Sequence, residues 1–432
     1  MIKNIFVAGL DDFHLSQLLA LKKAEQYRFH TLISYEKIKC GNTFPVREFL
    51  QQTKTMLQEF NDSVDAIVGY WDFPVSTLLP YIRAFVGLDG PTHHSVLKCE
   101  HKYWSRLLQA EIVPNLIPQF CTIDPFSRSA VKDCRLDYPF WLKPIKSVLS
   151  HLGFLIRNDE EFAACLQVIR QKIGRYAEPF NFILDLANIP DDIRKIDGYH
   201  CIAEEIISHG RQCTLEGYVY QGSVQVYGAV DSIREGSHAS CFSRYQYPST
   251  LPEAVQQRMV EATTNVLGHI RFDNSPFNIE FYWNENRDSI HLLEINTRIS
   301  KSHSLLFKMV DGEYHHDVMI DIALGKKPDF PFRKGKFATA AKFMLRKFRN
   351  GRVRSVPSPH AIKDVQTLFP GTEIIITVNS DMHLSELKDQ DSYSFEICDL
   401  FMGAASHEEL LRNYHTALSM LPFDIEQCEN TT

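Results

Sequence analysis

The chain has 432 residues and a formal charge of -7, with 44% hydrophobic and 23% charged residues. A chain of this size folds into two to four globular domains, and its charge provides no overall basic field for nucleic acid or an anionic membrane. No segment has the roughly 18 uninterrupted apolar residues of a membrane helix, and the apolar run at the start is too short for a secretory signal. We expect a soluble cytoplasmic protein whose ten scattered cysteines are reduced thiols.

The first hundred residues alternate strand-like runs with helical patterns. The runs are "NIFVAGL", "FHTLISY" and "VDAIVGYWD", and "HLSQLLALKKAEQY" is a helical pattern. This alternation predicts βαβ units around a parallel sheet. Gly9 is the only glycine of the first turn. The glycine-rich fingerprint of a dinucleotide-binding domain is therefore absent, and we assign no nucleotide to this part of the chain.

Two lysines follow in contexts that raise a question about their partners. Lys102 lies in a helix predicted through "SVLKCEHKYWSRLLQ", and Lys143 ends the apolar strand "PFWLK". Each lysine alone is typical of a side chain that runs along the surface to reach water. A lysine in a buried setting would instead need a counter-charge.

A β-hairpin carrying acidic residues is predicted near residue 290. The strand-like runs "FNIEFYW" and "HLLEINTRIS" flank the polar turn "NENRD". If Glu280 pairs with Glu294, the midpoint of the hairpin falls on Arg287. Strand alternation would then place Glu294, Asn296 and Arg298 on one face.

This hairpin has two interpretations. Like charges directly opposite each other are destabilising, so Glu280 and Glu294 favour a cation between them. Oxygen ligands of this kind suit Mg²⁺. The alternative is a hairpin whose exposed face happens to carry acidic residues, and the spacing alone does not separate the two. Together with Lys102 and Lys143, however, a magnesium site provides what a triphosphate requires.

These motifs, in this order, resemble the ATP-grasp superfamily, in particular its branch with biotin carboxylase and carboxylate-amine ligases such as the L-amino acid ligases. The resemblance covers nearly the whole chain, through "HKYWSRLLQ", "PFWLKP", "AEEII", "FNIEFYW" and "LLEINTRIS". It implies an α/β and α+β fold with a Rossmann-like parallel-sheet domain at residues 1–97 and an ATP-grasp core at 98–330. It also implies a mobile lid at about 130–205 and a strand-rich C-terminal subdomain at 331–432.

The resemblance also implies a role for individual residues. Lys143 and Arg298 are expected to act in catalysis, with Arg298 orienting an acyl phosphate. The implied nucleotide-binding residues are Lys102, Lys143 and Ser150 at the phosphates, Glu204, Glu205 and Ile207 at the adenine, and Gln212 at the ribose. The implied ligands of Mg²⁺, with Mn²⁺ as an alternative, are Glu280, Glu294 and Asn296.

The chain departs from biotin carboxylase in the loop after the lid lysine. Biotin carboxylase has a run of glycines there, whereas "KPIKSVLSHLGF" contains Gly153 alone. Ser147, Ser150 and His151 are expected to take over the contacts to phosphate.

A second departure concerns the segment after Arg298. Biotin carboxylase has a glutamate that serves as the bicarbonate base, and the aligned residue is Ser302, which disfavours bicarbonate chemistry. Ser300, Ser302 and His303 could shape a pocket for a carboxylate or an acyl phosphate. Alternatively, Ser300 or Ser302 could cap the helix "SLLFKMVDG".

The expected function is that of an ATP-dependent ligase. It would activate a carboxylate as an acyl phosphate, join it to an amine and release ADP and phosphate. The alternatives are a carboxylase of the biotin-carboxylase type and a degenerate protein that binds ATP without turnover. The expected partners are ATP and a small carboxylate and amine; a homodimer is compatible with the resemblance, and no nucleic acid or membrane is expected.

Overall fold

The computed structural model describes residues 2–39, 43–148, 151–235, 241–388, 390 and 394–427. The strands are β1 Lys3–Leu10, β2 Tyr27–Ser34, β3 Ala66–Gly69, β4 Phe120–Ile123, β5 Phe140–Pro144, β6 Phe154–Ile156, β7 Cys201–Glu205, β8 Arg211–Tyr220, β9 Ser223–Glu235, β10 Cys241–Tyr247, β11 Ser275–Asn284, β12 Ser289–Asn296, β13 Thr339–Lys347, β14 Gly351–Ser355, β15 Glu373–Ile376, β16 Phe395–Ala404 and β17 Asp424–Gln427. The α-helices are α1 Asp12–Leu19, α2 Tyr35–Lys39, α3 Val46–Glu59, α4 Val75–Phe85, α5 His93–Glu100, α6 Lys102–Ile112, α7 Ala130–Asp133, α8 Asp159–Lys172, α9 Gly174–Asp185, α10 Asp191–Arg194, α11 Glu253–Ile270, α12 Ser304–Asp311, α13 His316–Ala323, α14 Pro359–Leu368 and α15 His407–Ser419.

The chain divides into two compact units. The first comprises residues 1–227, 252–301 and 315–330, and the second comprises 228–251, 302–314 and 331–432. Strand β9 passes from the first unit into the second. These units do not follow the three domains expected from the sequence, which remain a prediction.

The first unit begins with a parallel sheet in the order β2-β1-β3, which confirms the parallel arrangement expected from the alternating pattern. Strand β1 is buried along most of its length, as expected where helices cover both faces of a parallel sheet. Asp11 follows the carboxyl end of β1, and Asp72 lies three residues after β3. In open α/β sheets the crevice at this edge, between neighbouring strands whose connections run in opposite directions, is where ligands bind.

The helix expected through "SVLKCEHKYWSRLLQ" is interrupted at His101. The His101 ring accepts a hydrogen bond at Nδ1 from the backbone N–H of Trp104 and bonds through Nε2 to the carbonyl of Ile196, at 3.2 and 2.7 Å. Because a carbonyl can only accept, Nε2 carries the hydrogen of the neutral ring. Burial lowers the pKa of His101 to about 4. The interruption makes Lys102 the first residue of α6.

A four-stranded sheet has the order β4-β7-β5-β6; β5, β6 and β7 lie in the region expected to be the lid, and β4 precedes it. Phe140 and Leu142 of β5 are fully buried in its core, whereas Trp141 and Lys143 alternate to the opposite face. Strand β5 pairs with β7, with Lys143 opposite Ile202. The pairing therefore places the predicted phosphate lysine beside the strand that leads to the predicted adenine-binding segment.

The second unit is mainly antiparallel. Its strands follow the order β9-β10-β13-β16-β15, with β14 and β17 forming a separate pair. Helix α15 lies near the end of this unit and is followed by the short strand β17.

Two further expectations concern the whole sequence. Within the described part of the chain, no helix combines the length and the apolar character needed to cross a membrane. The eight cysteines that the structure describes are free thiols.

Gly9 provides a test of packing in the first unit. Its φ is +77°, and a Cβ atom there would lie 2.5 Å from Cδ1 of Trp71, whose ring is fixed by a hydrogen bond to the Gly9 carbonyl. Gly222 has nearly the same φ, +76°, but nothing lies within 4 Å of its added Cβ. We expect Gly9→Ala to lower the free energy of unfolding by about 2–5 kcal/mol, against about 1–2 kcal/mol for Gly222→Ala. Urea midpoints compare the two, and equal midpoints would contradict the packing argument.

Candidate active site

The acidic hairpin forms with the register that the magnesium hypothesis requires. Glu280 of β11 lies directly opposite Glu294 of β12, and Asn278 lies opposite Asn296. The neighbouring residues Ile279 and Phe281 are fully buried, so the alternation of the strand directs Glu280 away from the core. The hairpin therefore sets two carboxylates and an amide side by side.

The sequence did not indicate a bulge next to the two glutamates. Glu280 pairs with Glu294, but Phe281 pairs with Leu292, so Leu293 is an extra residue in β12. A bulge bends its strand and re-aims the side chains beside it. Glu294 is exposed at this position, although it belongs to a largely buried hairpin.

The expectation that Glu294, Asn296 and Arg298 share one strand face is wrong for Arg298. Strand β12 ends at Asn296. Arg298 lies beyond this end, and its carbonyl accepts a hydrogen bond from the Asn278 side chain at 3.0 Å. The pleat of the sheet therefore does not fix the direction of the Arg298 side chain.

The three predicted metal ligands have oxygen atoms that suit Mg²⁺. The backbone of Glu294 belongs to the pairing of β11 with β12, and its carboxylate has no hydrogen bond or ion pair with the side chains that the structure describes. The Asn296 Nδ2 donates to Oδ1 of Asn278 at 2.9 Å, which leaves the Asn296 Oδ1 available. Glu280 accepts a hydrogen bond from Gln212 at 2.6 Å. This donor set, two carboxylates and one carboxamide oxygen, fits a hard cation.

The described residues contain no group of three or more His, Cys, Asp or Glu side chains that could hold a metal ion. The predicted set has only two such side chains and an asparagine. Its role in metal binding therefore stays a prediction.

Glu204 is bound by two cations. Its Oε1 accepts from Nε of Arg106 at 2.6 Å, and its Oε2 accepts from Nζ of Lys143 at 2.9 Å. Burial opposes ionisation of this carboxyl, but Arg106 and Lys143 outweigh it and lower the pKa of Glu204 to about 2. Its side chain is thus occupied, which leaves the backbone of the predicted adenine-binding segment to contact a base.

Lys102 has a perturbed pKa. Burial and the positive charges of Lys146 and Lys143 together lower it to about 8, against the opposing effects of Glu294 and Asp72. Its Nζ also lies 3.5 Å from the carbonyl of Ser147. The pKa of Lys102 thus responds both to Lys143, the other predicted phosphate lysine, and to Glu294, a predicted metal ligand.

The other predicted nucleotide-binding residues have different settings. Gln212 is buried, and its amide donates to Glu280, which puts it beside a predicted metal ligand. Glu205 is exposed at the end of β7 and accepts from the backbone N–H of Gln119 at 3.0 Å, and Ile207 is partly buried just beyond it. Ser150 lies outside the described residues. The contacts of all four to ATP remain predictions.

The segment after Arg298 corrects one interpretation. The backbone N–H of Ser300 donates to the buried carboxylate of Glu216, at 3.3 and 3.4 Å from its two oxygens. Helix α12 has His303 as its N-cap residue and no capping hydrogen bond from a side chain. The expectation that Ser300 or Ser302 caps this helix is therefore wrong, because the helix begins one residue after His303.

Arg106 was not among the predicted site residues, although it connects the bulge to the rest of the site. Besides Glu204, it donates from Nη1 to the carbonyl of Leu292 at 3.1 Å and from Nη2 to that of Leu293 at 2.7 Å. A signal was present, because Arg106 lies four residues after Lys102 and therefore on the same face of α6.

Asp72, the partner of Arg298, was also absent from the predicted site residues. Oδ2 of Asp72 accepts from Nη2 of Arg298 at 2.9 Å, and Nζ of Lys146 lies 3.4 Å from Oδ1. Burial opposes ionisation, but Lys146 and Arg298 hold the pKa of Asp72 well below its usual range. The available signal was an acid three residues after a buried parallel strand, at the edge of the sheet where ligand crevices form.

Arg106→Met should destabilise the protein strongly. The change leaves the buried Glu204 with Lys143 alone and removes the donors to both bulge carbonyls, so we expect a loss of about 3–5 kcal/mol in the free energy of unfolding. Arg194→Met is the matched control, since Arg194 is exposed and pairs with the exposed Asp185. Urea unfolding measures both, and equal midpoints would show that Arg106 has no special structural role.

Comparison with known proteins identifies structures that share this fold. Residues 136–304 match the model of the ATP-grasp domain family. An L-amino acid ligase from Bacillus licheniformis has 13% sequence identity and a TM-score of 0.70, over 98% of this chain and 99% of that one. A biotin carboxylase from Campylobacter jejuni, solved as a beta-gamma-ATP complex, has 15% identity and a TM-score of 0.66, over 99% and 93%.

A further similar structure is the biotin carboxylase domain of the 2-oxoglutarate carboxylase from Hydrogenobacter thermophilus, solved with MgADP, ADP and bicarbonate. It has 14% identity and a TM-score of 0.66, over 99% of this chain and 92% of that one. Identities this low establish the fold and leave the reaction open. The chain has the fold of these ATP-grasp structures, and its residues 136–304 match the ATP-grasp domain model.

Proposed function

We propose that the protein is an ATP-dependent ligase that joins a carboxylate to an amine. The observation that carries the proposal is the pairing of Glu280 with Glu294 beside the free amide oxygen of Asn296. Two opposed carboxylates cost free energy unless a cation lies between them. Lys102 and Lys143, which lie in the same electrostatic environment, supply the positive charge that a triphosphate needs.

The first chemical step would be in-line phosphoryl transfer. A carboxylate oxygen of the substrate forms a bond to the γ-phosphorus of ATP while the bond to the leaving ADP oxygen breaks. Lys102 and Lys143 would bind the phosphates, and Glu280, Glu294 and Asn296 would hold Mg²⁺ or Mn²⁺. The metal supplies charge neutralisation on the phosphate oxygens. Positioning and electrostatics dominate such a step, so no side chain needs to act as a covalent nucleophile.

The second step would form the C–N bond. The neutral amine attacks the carbonyl carbon of the acyl phosphate, the C–O bond to phosphate breaks, and phosphate leaves with the electron pair. The nitrogen then releases a proton. Arg298, whose guanidinium is held by Asp72, would orient the acyl phosphate through its charge.

A bicarbonate-dependent carboxylase is the weaker alternative. The similar structures include both a ligase and a carboxylase. Ser302 of this chain aligns with the bicarbonate base of biotin carboxylase. A serine hydroxyl is far too weak an acid or base for that role at neutral pH. A protein that only binds ATP would have less use for two opposed carboxylates and an arginine.

Glu294→Gln should abolish turnover. The substitution keeps the size of the side chain and removes the charge that a divalent metal needs. We expect release of ADP and phosphate from Mg-ATP, with pools of amino acids and small carboxylic acids, to fall at least 100-fold. Glu285→Gln is the matched control, because Glu285 lies exposed in the turn of the same hairpin.

The substrate pools also separate the candidate functions. Release that requires a carboxylate and an amine supports the ligase, and release that requires bicarbonate supports the carboxylase. Binding of ATP without release in any pool supports a non-catalytic protein. Full activity of Glu294→Gln would overturn the metal assignment.

The pKa of Lys102 predicts the pH dependence of nucleotide binding. Phosphate binds the charged ammonium, so affinity for Mg-ATP should be constant below pH 8 and should fall as the pH rises above 8, by at most about tenfold per pH unit. Calorimetric titration between pH 6.5 and 9.5 measures this. Lys102→Met should bind more weakly and lose the dependence, and an unchanged profile would show that Lys102 does not contact phosphate.

A further inference from the structure

Five side chains of the first unit form a closed ring, which we call the charge ring. Its members are Asp72, Glu100, Lys146, Thr297 and Arg298. They come from four separate parts of the chain: the end of the parallel sheet, the end of α5, the loop after β5 and the segment after β12. None of Asp72, Glu100 or Lys146 was assigned a role from the sequence.

Each carboxylate of the ring uses one oxygen for each neighbour. Asp72 bonds to Arg298 through Oδ2 at 2.9 Å, and its Oδ1 lies 3.4 Å from Nζ of Lys146. Glu100 accepts from Lys146 at Oε2 and from the hydroxyl of Thr297 at Oε1, the latter at 2.8 Å. The peptide bond between Thr297 and Arg298 closes the ring. A displacement of any member therefore disturbs both of its neighbours.

Burial explains why the ring must be complete. The side chains of Lys146 and Glu100 are only 5% and 3% exposed, and an unpaired charge at such a site is costly. Burial opposes the charge on Lys146, but Glu100 and Asp72 outweigh it and raise the pKa of the ammonium. Lys146 is thus charged and is committed to two carboxylates, whereas Arg298 at the other side of the ring is 17% exposed.

Lys146 belongs to the segment in which this chain departs from biotin carboxylase. It lies in "KPIKSVLSHLGF", three residues after Lys143, in the loop that lacks the glycine run of biotin carboxylase. A glycine loop has no side chains that could anchor it, whereas here Lys146, at the start of the loop, contacts Glu100 and Asp72.

We propose that Lys146 is a positioning residue for Arg298. It neutralises Glu100 and holds Asp72, and through Asp72 it sets the direction of the Arg298 guanidinium, which the sheet leaves unfixed. The inference that this matters for turnover rests on the proposed function. A direct role for Lys146 in binding ATP would predict a different outcome, because it would raise the KM for Mg-ATP.

Lys146→Met tests the proposal, with Lys172→Met as the control, since Lys172 is exposed on α8. Lys146→Met leaves two carboxylates for one guanidinium, so we expect kcat to fall at least tenfold while the KM for Mg-ATP changes less than threefold. The double variant Glu100→Gln, Lys146→Met removes one charge of each sign and should recover at least threefold of the loss. A rise in KM alone, or a double variant no better than Lys146→Met, would overturn the proposal.

A second measurement does not depend on turnover. The buried Nε–H of Arg298 gives a signal in ¹⁵N–¹H spectra of arginine-labelled protein, which Arg298→Lys identifies by its loss. This signal should shift in Lys146→Met, return toward its original position in the double variant and stay unchanged in Lys172→Met. An unchanged Nε–H signal of Arg298 in Lys146→Met would overturn the proposal. A wild-type protein without turnover but with the expected shifts would refute the proposed function and leave the positioning role standing.

Discussion

The opposition of Glu280 and Glu294 is the constraint on which the site depends. Glu280 is held on both sides, because β11 pairs with β8 as well as with β12 and places Glu280 between Thr214 and Glu294. The buried neighbours Ile279 and Phe281 fix which face it occupies. The backbone positions of the two carboxylates cannot separate without breaking the sheet, so nearby positive charge relieves their repulsion. Lys102, whose pKa responds to Glu294, is one source of such charge, and the proposed metal would be another.

Much of this arrangement could be predicted because it is local. The register of the hairpin follows from the symmetry of "FNIEFYW" and "HLLEINTRIS" about a polar turn, and the parallel sheet follows from the spacing of apolar runs. The helix of Lys102 was foreseen, but its start was not, since the interruption at His101 depends on the distant carbonyl of Ile196.

The unpredicted features share a dependence on contacts that are remote in sequence. Asp72 and Arg298 are 226 residues apart, and Arg106 reaches carbonyls 186 and 187 residues away. Strand periodicity carries no information about such partners, and the bulge at Leu293 breaks the periodicity itself. A single charged residue in an apolar context, such as Lys146, is a hint that a partner exists, but the sequence does not name it.

The charge ring differs from the predicted phosphate site in its response to ionic strength. The ring contains two anions and two cations that are in contact, and at Lys146 and Glu100 they are shielded from solvent. Dissolved ions have little access to such pairs, and salt acts mainly on exposed charges separated by several ångströms. Lys102 and Lys143 would meet a ligand that arrives from water. Salt that weakens the attraction between protein and nucleotide would therefore leave the orientation of Arg298 intact. Rising ionic strength would then lower the affinity for the nucleotide without slowing the chemical step.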